Sequence, residues 1–309
     1  MKSDNDFKID FIGIGAPKCA TTWISQCLKE HPSICMSNPK ETHYFLTPNY
    51  KKGLKWYQLC FKHCRGGGEQ TRGEFTTRYM IHIETAERIR EHNSNIKLIA
   101  CLRNPVERTY SSYFHLKSVR SIGSRLTFEE VLKKDIEKND ILIRPSLYYS
   151  YLKEFYKNFL QENILILIYE DIKKDPVKFI QTIYEFLGVD KNIVPCSVYD
   201  QVNVATGNRL KISLFKEIFR SVRIRATRKD TIFFASIYKF LKLMGVGRIA
   251  KIVRRMNRKQ ESKIEKLEKP PMKEETKRYL DNLFLEDINN LEKLINKDLS
   301  HWKQIIIKK

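Results

Sequence analysis

No run of 18 apolar residues occurs in this 309-residue chain, so no segment reads as a membrane-spanning helix. Its opening residues, MKSDNDFKID, lack the apolar stretch of a secretory leader. The cysteines at 19, 27, 35, 60, 64, 101 and 196 are odd in number and show no CxxC spacing. Cys60, His63 and Cys64 invite a zinc reading, but a second ligand pair is missing. The expectation is no metal, buried or unpaired thiols, and a reducing, cytoplasmic location. Acidic residues are also in deficit, 36 against 57 Lys+Arg, for a net charge of +21. That excess calls for an anionic partner: nucleic acid, acidic glycan, phosphorylated cofactor or membrane surface.

The charge is unevenly placed. Residues 209–269 hold 19 Lys+Arg and 5 Asp+Glu, a net of +14, or two thirds of the excess in a fifth of the length. Apolar residues recur there at helical spacing, as in Leu214, Phe215, Ile218 and Phe219, which predicts basic amphipathic helices. Pro270-Pro271 then precedes a last helical segment, 273–296. The expected organisation is an α/β core over 1–208, a basic helical insert over 209–269, and a C-terminal helix within 270–309 that returns to the core. No internal repeat is present.

Within the core, short apolar runs at 9–14, 73–76, 96–102 and 163–169 read as buried strands. Segments with helical spacing, 21–30, 84–92, 105–117, 147–159 and 176–187, alternate with them. The alternation predicts a parallel sheet flanked by helices, with ligands beyond the carboxyl ends of its strands.

At the first of those ends stands "IDFIGIGAPKCATTWISQCL" (9–28), an apolar run, a loop and a helix start. A Walker loop places its lysine directly before a Ser or Thr, in GxxxxGK[ST]. Counted from Gly15, the sixth and seventh positions here are Ala20 and Thr21, and Lys18 sits inside the loop. The nucleotide-triphosphatase spacing is absent, yet the physics of an anion cradle survives. A helix N-terminus offers unpaired N–H groups, Thr21 and Thr22 add hydroxyls, and Lys18 adds a full charge beside a leaving group. Farther on, "IKLIACLRNPVERTYSSYFH" (96–115) ends a strand on Arg103, a natural phosphate clamp, with Ser111 eight residues later along a helix.

Together these segments resemble the sulfotransferases that use 3′-phosphoadenosine 5′-phosphosulfate. "APKCATTWI" is similar to that superfamily's 5′-phosphosulfate loop, and "RNPVERTYSSY" to its 3′-phosphate motif. The nearest pattern is that of heparan sulfate 3-O-sulfotransferases and bacterial carbohydrate sulfotransferases. It is carried by "HPSICMSNPKETHYF" (31–45), "GLKWY", "GEFTTRYM", "ILIYEDIKKDPVKFIQTIYEFLGV" and "LINKDLSHW". It spans about 7–200 and 270–302.

The resemblance implies a P-loop-like fold without a metal. It also implies sulfuryl transfer by in-line displacement to a carbohydrate or glycolipid hydroxyl, leaving 3′,5′-adenosine bisphosphate. Lys18, Cys19, Ala20, Thr21, Thr22 and Trp23 would form the donor cradle, with Lys18 at the bridging oxygen. Arg103 and Ser111 would hold the 3′-phosphate. Glu41 would be the general base, and His43 would orient the acceptor or itself serve as the base. Glu74 reads as support for the site or as a structural residue, and Trp23 with Tyr148 or Tyr149 as adenine neighbours or as core. Three departures stand out. Phe75 replaces a lysine of the glycan enzymes, their cofactor-loop cysteine pair is not evident, and their Lys-Gly-Arg contact has only Asn203 and Arg209 as substitutes. The competing readings are sulfation of a lipid or secondary-metabolite alcohol, with 209–269 at a membrane surface, and, more distantly, a nucleic-acid-binding protein.

Overall fold

A computed structural model describes residues 7–64, 70–123, 125–138, 141–200 and 270–303. The basic stretch 209–269, Asn203 and the candidate Arg209 lie outside the described residues. The chain divides into two units, Met1–Leu116 with Ile122–Val204 and Met272–Lys309, and Lys117–Ser121 with Ala205–Pro271. The sheet belongs to the first.

Five parallel strands form the sheet: β1 Phe11–Gly15, β2 Ile34–Met36, β3 Thr71–Phe75, β4 Lys97–Leu102 and β5 Ile164–Ile168. Their order is β2-β3-β1-β4-β5. The four apolar runs each overlap one strand, and β2 is the one the pattern misses, because three residues are too few to show a period. Every residue of β1 is buried, as expected where helices cover both faces of a parallel sheet. The β1–β3 pair interlocks by size. A Cβ on Gly13 would fall 2.3 Å from the Phe75 ring, and one on Gly73 would fall 2.4 Å from the Phe11 ring. From β1 the chain builds one side of the sheet through β2 and β3, then crosses to β4 and β5. The direction of winding therefore reverses between β1 and β4, which opens a crevice at their carboxyl ends.

The helices are α1 Thr21–Glu30, α2 Gly53–Leu59, α3 Glu84–His92, α4 Pro105–Ser118 and α5 Phe128–Lys138, then α6 Tyr148–Asn158, α7 Asp171–Lys174, α8 Pro176–Leu187 and α9 Glu274–Ile295. α8 carries the full set of end signals. Asp175 accepts from Lys178 N at its start, Pro176 occupies the first turn, and Gly188 closes it at φ 75°. On α9, Leu280, Phe284, Ile288, Leu291 and Ile295 recur every three or four residues, and all are buried. That stripe lies against α6.

The α6–α9 contact includes a cap supplied from a distance. Asp287 of α9 accepts from Tyr149 N at 3.1 Å and from Ser150 N at 3.4 Å, at the start of α6. Burial pushes its carboxyl up to about 6, against the pull of those donors. In the unfolded chain it returns to about 3.8. Between those values the folded protein holds a proton that the unfolded chain releases, so this group lowers stability as pH rises through 4–6. Asp287→Asn, which cannot ionise, is expected to gain on the wild type between pH 4.5 and 7, by at most about 3 kcal/mol. Urea midpoints of both proteins across that range check it. A difference that does not change with pH would contradict the assignment.

Candidate active site

The loop between β1 and α1 is built to leave backbone donors available. Its base is tied to the neighbouring strand by Ala16 N donating to Cys101 O at 2.9 Å. Lys18 and Ala20 both lie in the left-handed region, at φ 72° and 58°, which non-glycine residues adopt reluctantly. Between them Cys19 turns fully inward, its sulfur 3.7 Å from Pro17 O and 4.0 Å from the Tyr148 hydroxyl. Burial raises the Cys19 thiol to about 11, so it stays protonated and is no nucleophile. The first intrahelical bond of α1 runs from Ile24 N to Ala20 O. The N–H groups of Thr21, Thr22 and Trp23 thus have no partner within the helix, and Ala20 has no side chain to cap them. Thr21 is buried and Thr22 exposed. The Trp23 indole packs against Phe179 and donates to Ser197 O at 2.9 Å. Its side chain is core, and what it offers a ligand is backbone.

Arg103 leaves β4 beside this loop. Its side chain, 17% exposed, reaches Glu107 at 3.3 Å and lies over the Tyr169 ring at 4.6 Å. Asn104 caps α4 by accepting from Val106 N and Glu107 N. Tyr148, fully buried, donates to Arg103 O at 2.8 Å while its oxygen contacts Cys19, so one phenol joins the two motifs. The Tyr148 ring is core, and its hydroxyl is the link between the two segments. Ser111 is buried on α4, two turns along from Arg103.

Arg108 is the residue whose role the motif hides. It is wholly buried, donating from Nε to Ser146 Oγ at 2.6 Å and from Nη2 to Leu142 O at 2.7 Å. Its charge is answered by these neutral acceptors and, at longer range, by the buried Asp135 carboxylate. Burial lowers its pKa, yet a guanidinium starts high enough to stay charged. Arg108 and Arg103 both pull the Cys19 thiol down against burial, which places two cations within electrostatic reach of the loop.

The third element follows β2. Glu41 and His43 face outward, 31% and 39% exposed, with 3.7 Å between carboxylate and imidazole, and Lys40 Nζ is 3.2 Å from Glu41. Thr42 between them points inward. Its backbone N–H and hydroxyl both donate to Glu74 Oε2, at 3.3 and 2.7 Å. Thr76 donates to the same oxygen at 2.6 Å, and Tyr57 and Tyr79 donate to the other at 2.7 and 2.9 Å. Glu74, with no exposed surface, thereby anchors the turn at His43, whose φ is 53°. Burial raises its pKa, and the ring of donors opposes the shift. Glu74 stands one strand from the loop, since β3 pairs with β1 at Ile12.

The cysteine expectation needs correction. Cys35 and Cys64, 29 residues apart, form a disulfide, while Cys60 stands apart and buried with its sulfur 3.9 Å from Trp56 O. The sequence hides this pair because one partner lies in a three-residue strand and the other in a turn. Closing the ring stabilises the fold by about 3–4 kcal/mol on chain entropy. Among the described residues no helix is long and apolar enough to cross a membrane.

Comparison with known proteins adds the following. The family model described as "sulfotransferase domain" matches residues 8–211. A membrane-associated sulfotransferase of Dictyostelium discoideum is 33% identical over 140 residues, covering 44% of this chain and 30% of that protein. The heparan sulfate glucosamine 3-O-sulfotransferase 5 of Mus musculus is 27% identical over 196 residues, covering 60% of this chain and 55% of that protein. This chain thus spans between 30% and 55% of the length of these two relatives. In fold it is similar to a sulfotransferase from Alicyclobacillus acidocaldarius, with a TM-score of 0.66, 22% identity, and coverage of 96% of this chain and all of that one.

Glu74→Ala would leave the Thr42, Tyr57, Thr76 and Tyr79 donors to compete for what remains. It is expected to cost at least about 3 kcal/mol by denaturant unfolding, with Glu74→Gln costing less because it keeps an acceptor. Equal losses in the two variants would mean the carboxylate is not the anchor.

Proposed function

This chain belongs to the sulfotransferase domain family, and from that premise we propose that it moves a sulfuryl group from 3′-phosphoadenosine 5′-phosphosulfate to a hydroxyl of a carbohydrate or glycolipid. One observation carries the reading. The uncapped start of α1 with Lys18, and Arg103 at the end of β4, occupy the adjacent carboxyl ends of β1 and β4 and are joined through Tyr148. Two anion-binding features side by side suit a ligand with phosphate groups at both its 5′ and 3′ positions.

The residues fit that donor. Outward N–H groups at 21–23, the positive end of α1 and the Lys18 ammonium suit a phosphosulfate. Arg103 and the hydroxyl of Ser111 suit a 3′-phosphate, and buried Arg108 adds positive potential beneath both. When bound, the donor supplies a sulfuryl group already joined to a phosphate leaving group.

Around it the chain's own groups have distinct tasks. Lys18 neutralises charge developing on the departing phosphate oxygen. Glu41 takes the proton from the acceptor hydroxyl at a carboxylate oxygen. His43, 3.7 Å away, orients the acceptor or shares that proton. Glu74 holds both at fixed spacing through Thr42, so proximity rather than covalent chemistry supplies most of the rate. The likeness to the mouse 3-O-sulfotransferase supports a carbohydrate acceptor, and the net +14 of residues 209–269 suits an anionic one.

Transfer from sulfur-35-labelled donor to a panel of glycans and glycolipids, with mass analysis of the product, tests the reading. Lys18→Ala and Glu41→Gln are each expected to lower turnover by ~10²-fold. Glu41→Gln should leave affinity for 3′,5′-adenosine bisphosphate within about twofold, whereas Arg103→Ala should weaken it about tenfold or more by calorimetry. Failure of the unaltered protein to bind the bisphosphate would overturn the proposal.

A further inference from the structure

We propose that the Cys35–Cys64 bond is a thiol–disulfide exchange site, opened at Cys64 by a dithiol and assisted by His63, which stabilises the leaving sulfur of Cys35. The two sulfurs are unequally placed. Cys35 lies in the edge strand β2 with 6% of its surface exposed, whereas Cys64 is half-buried in the turn after α2, directly after the exposed Lys62 and His63. An attacking thiolate therefore reaches Cys64 and expels Cys35. The His63 imidazole sits against the expelled atom, its Nε2 being 3.0 Å from Met36 O and 3.7 Å from Cys35 Sγ. A carbonyl can only accept, so Nε2 carries the hydrogen. The same N–H is within reach of the departing thiolate.

The exchange balances. One thiolate of the dithiol bonds to Cys64 Sγ as the Cys35–Cys64 bond breaks, and the electron pair leaves on Cys35 Sγ, held by the His63 N–H. The reagent's second thiol then attacks its own first sulfur, releasing Cys64 as a thiolate that takes a proton from water. The dithiol loses two electrons as an intramolecular disulfide, and the protein gains them as two thiols. Cys60 does not interfere, since it is buried, its sulfur faces Trp56 O, and burial raises its pKa.

The ring closed by this bond contains Glu41, Thr42, His43 and Tyr57, while Lys18, Arg103 and Ser111 lie outside it. Opening it releases a covalent restraint on the acceptor half of the site and leaves the donor half untouched. That consequence for turnover rests on the function proposed above, and the exchange chemistry does not.

The test uses the full chain with accessible thiols, including the exposed Cys196, alkylated beforehand. Dithiothreitol is added, and newly freed thiols are trapped with an isotope-coded alkylating reagent and located by mass spectrometry over time. Cys35 and Cys64 should appear together at one rate. His63→Ala should slow that rate about tenfold, the effect of a leaving thiol some two pKa units more basic. His63→Gln, which keeps an N–H for Met36 O, should stay within about threefold of wild type and guards against a folding effect. With glutathione in place of the dithiol, the mixed disulfide should form on Cys64. Amide exchange after reduction should rise across 37–60 and stay unchanged across 16–30. An unaltered rate in His63→Ala, glutathione on Cys35, or unchanged exchange across 37–60 would each overturn the proposal. So would a reduced protein that takes up one Zn²⁺ through Cys35, His63 and Cys64 and resists alkylation there, since the cluster would then be a metal site.

Discussion

The pairing of β1 with β4 is the constraint from which the site follows. Register runs from Phe11 opposite Lys97 to Gly15 opposite Ala100, and Ala16 N extends the contact past the last strand residue to Cys101 O. Two chain exits are thereby held side by side at the one place where the winding reverses. Each exit has its own reason to bind an anion, an uncapped helix start in one case and an arginine in the other. Neither would be specific alone. Held together by the ladder, and tied again through Tyr148, the two exits keep a fixed separation.

Cations gather at that corner, with Glu107 set against one of them. Arg103 and Arg108 crowd the Cys19 loop, which itself carries Lys18, and Arg108 is wholly buried. Burying a cation is costly, and here hydroxyl and carbonyl acceptors, with the Asp135 carboxylate at longer range, share the work of solvating it. Cys19, kept neutral by its surroundings, adds no charge of its own. Around Glu41 the sign is mixed, with Lys40 and His43 each reaching its carboxylate.

Much of this was readable before any coordinates. The runs at 9–14, 73–76, 96–102 and 163–169 each overlap a strand, because strands buried on both faces tend to be continuously apolar. Segments 21–30, 84–92 and 176–187 match helices end to end, since each has enough turns for its spacing to show. The pattern missed β2, α2, α5 and α7: β2 and α7 are too short to display a period, and α5 lies in a charged stretch. At the site, Lys18 and Arg103 were legible as anion-binding residues, Glu41 and His43 only through the resemblance, and Glu74 as support or structure, whereas the partners through which Glu74 holds the turn were not. Glu74 meets Thr42 across 32 residues and Cys35 meets Cys64 across 29, distances over which composition carries no signal. Trp23 shows the opposite limit, an aromatic next to a loop whose ring turns into the core. Arg209, outside the described residues, stays an expectation from resemblance.

The alternation at Glu41, Thr42 and His43 has an implication for how such a protein could change. The middle residue spends its side chain and its backbone N–H on an interior carboxylate, so its neighbours on either side are left at the surface with few packing duties. Replacements at those two flanking positions would leave the Glu74 anchor and the turn it holds intact. Surface character and foldedness are here assigned to different letters of a three-letter word, so the one can vary without unmaking the other.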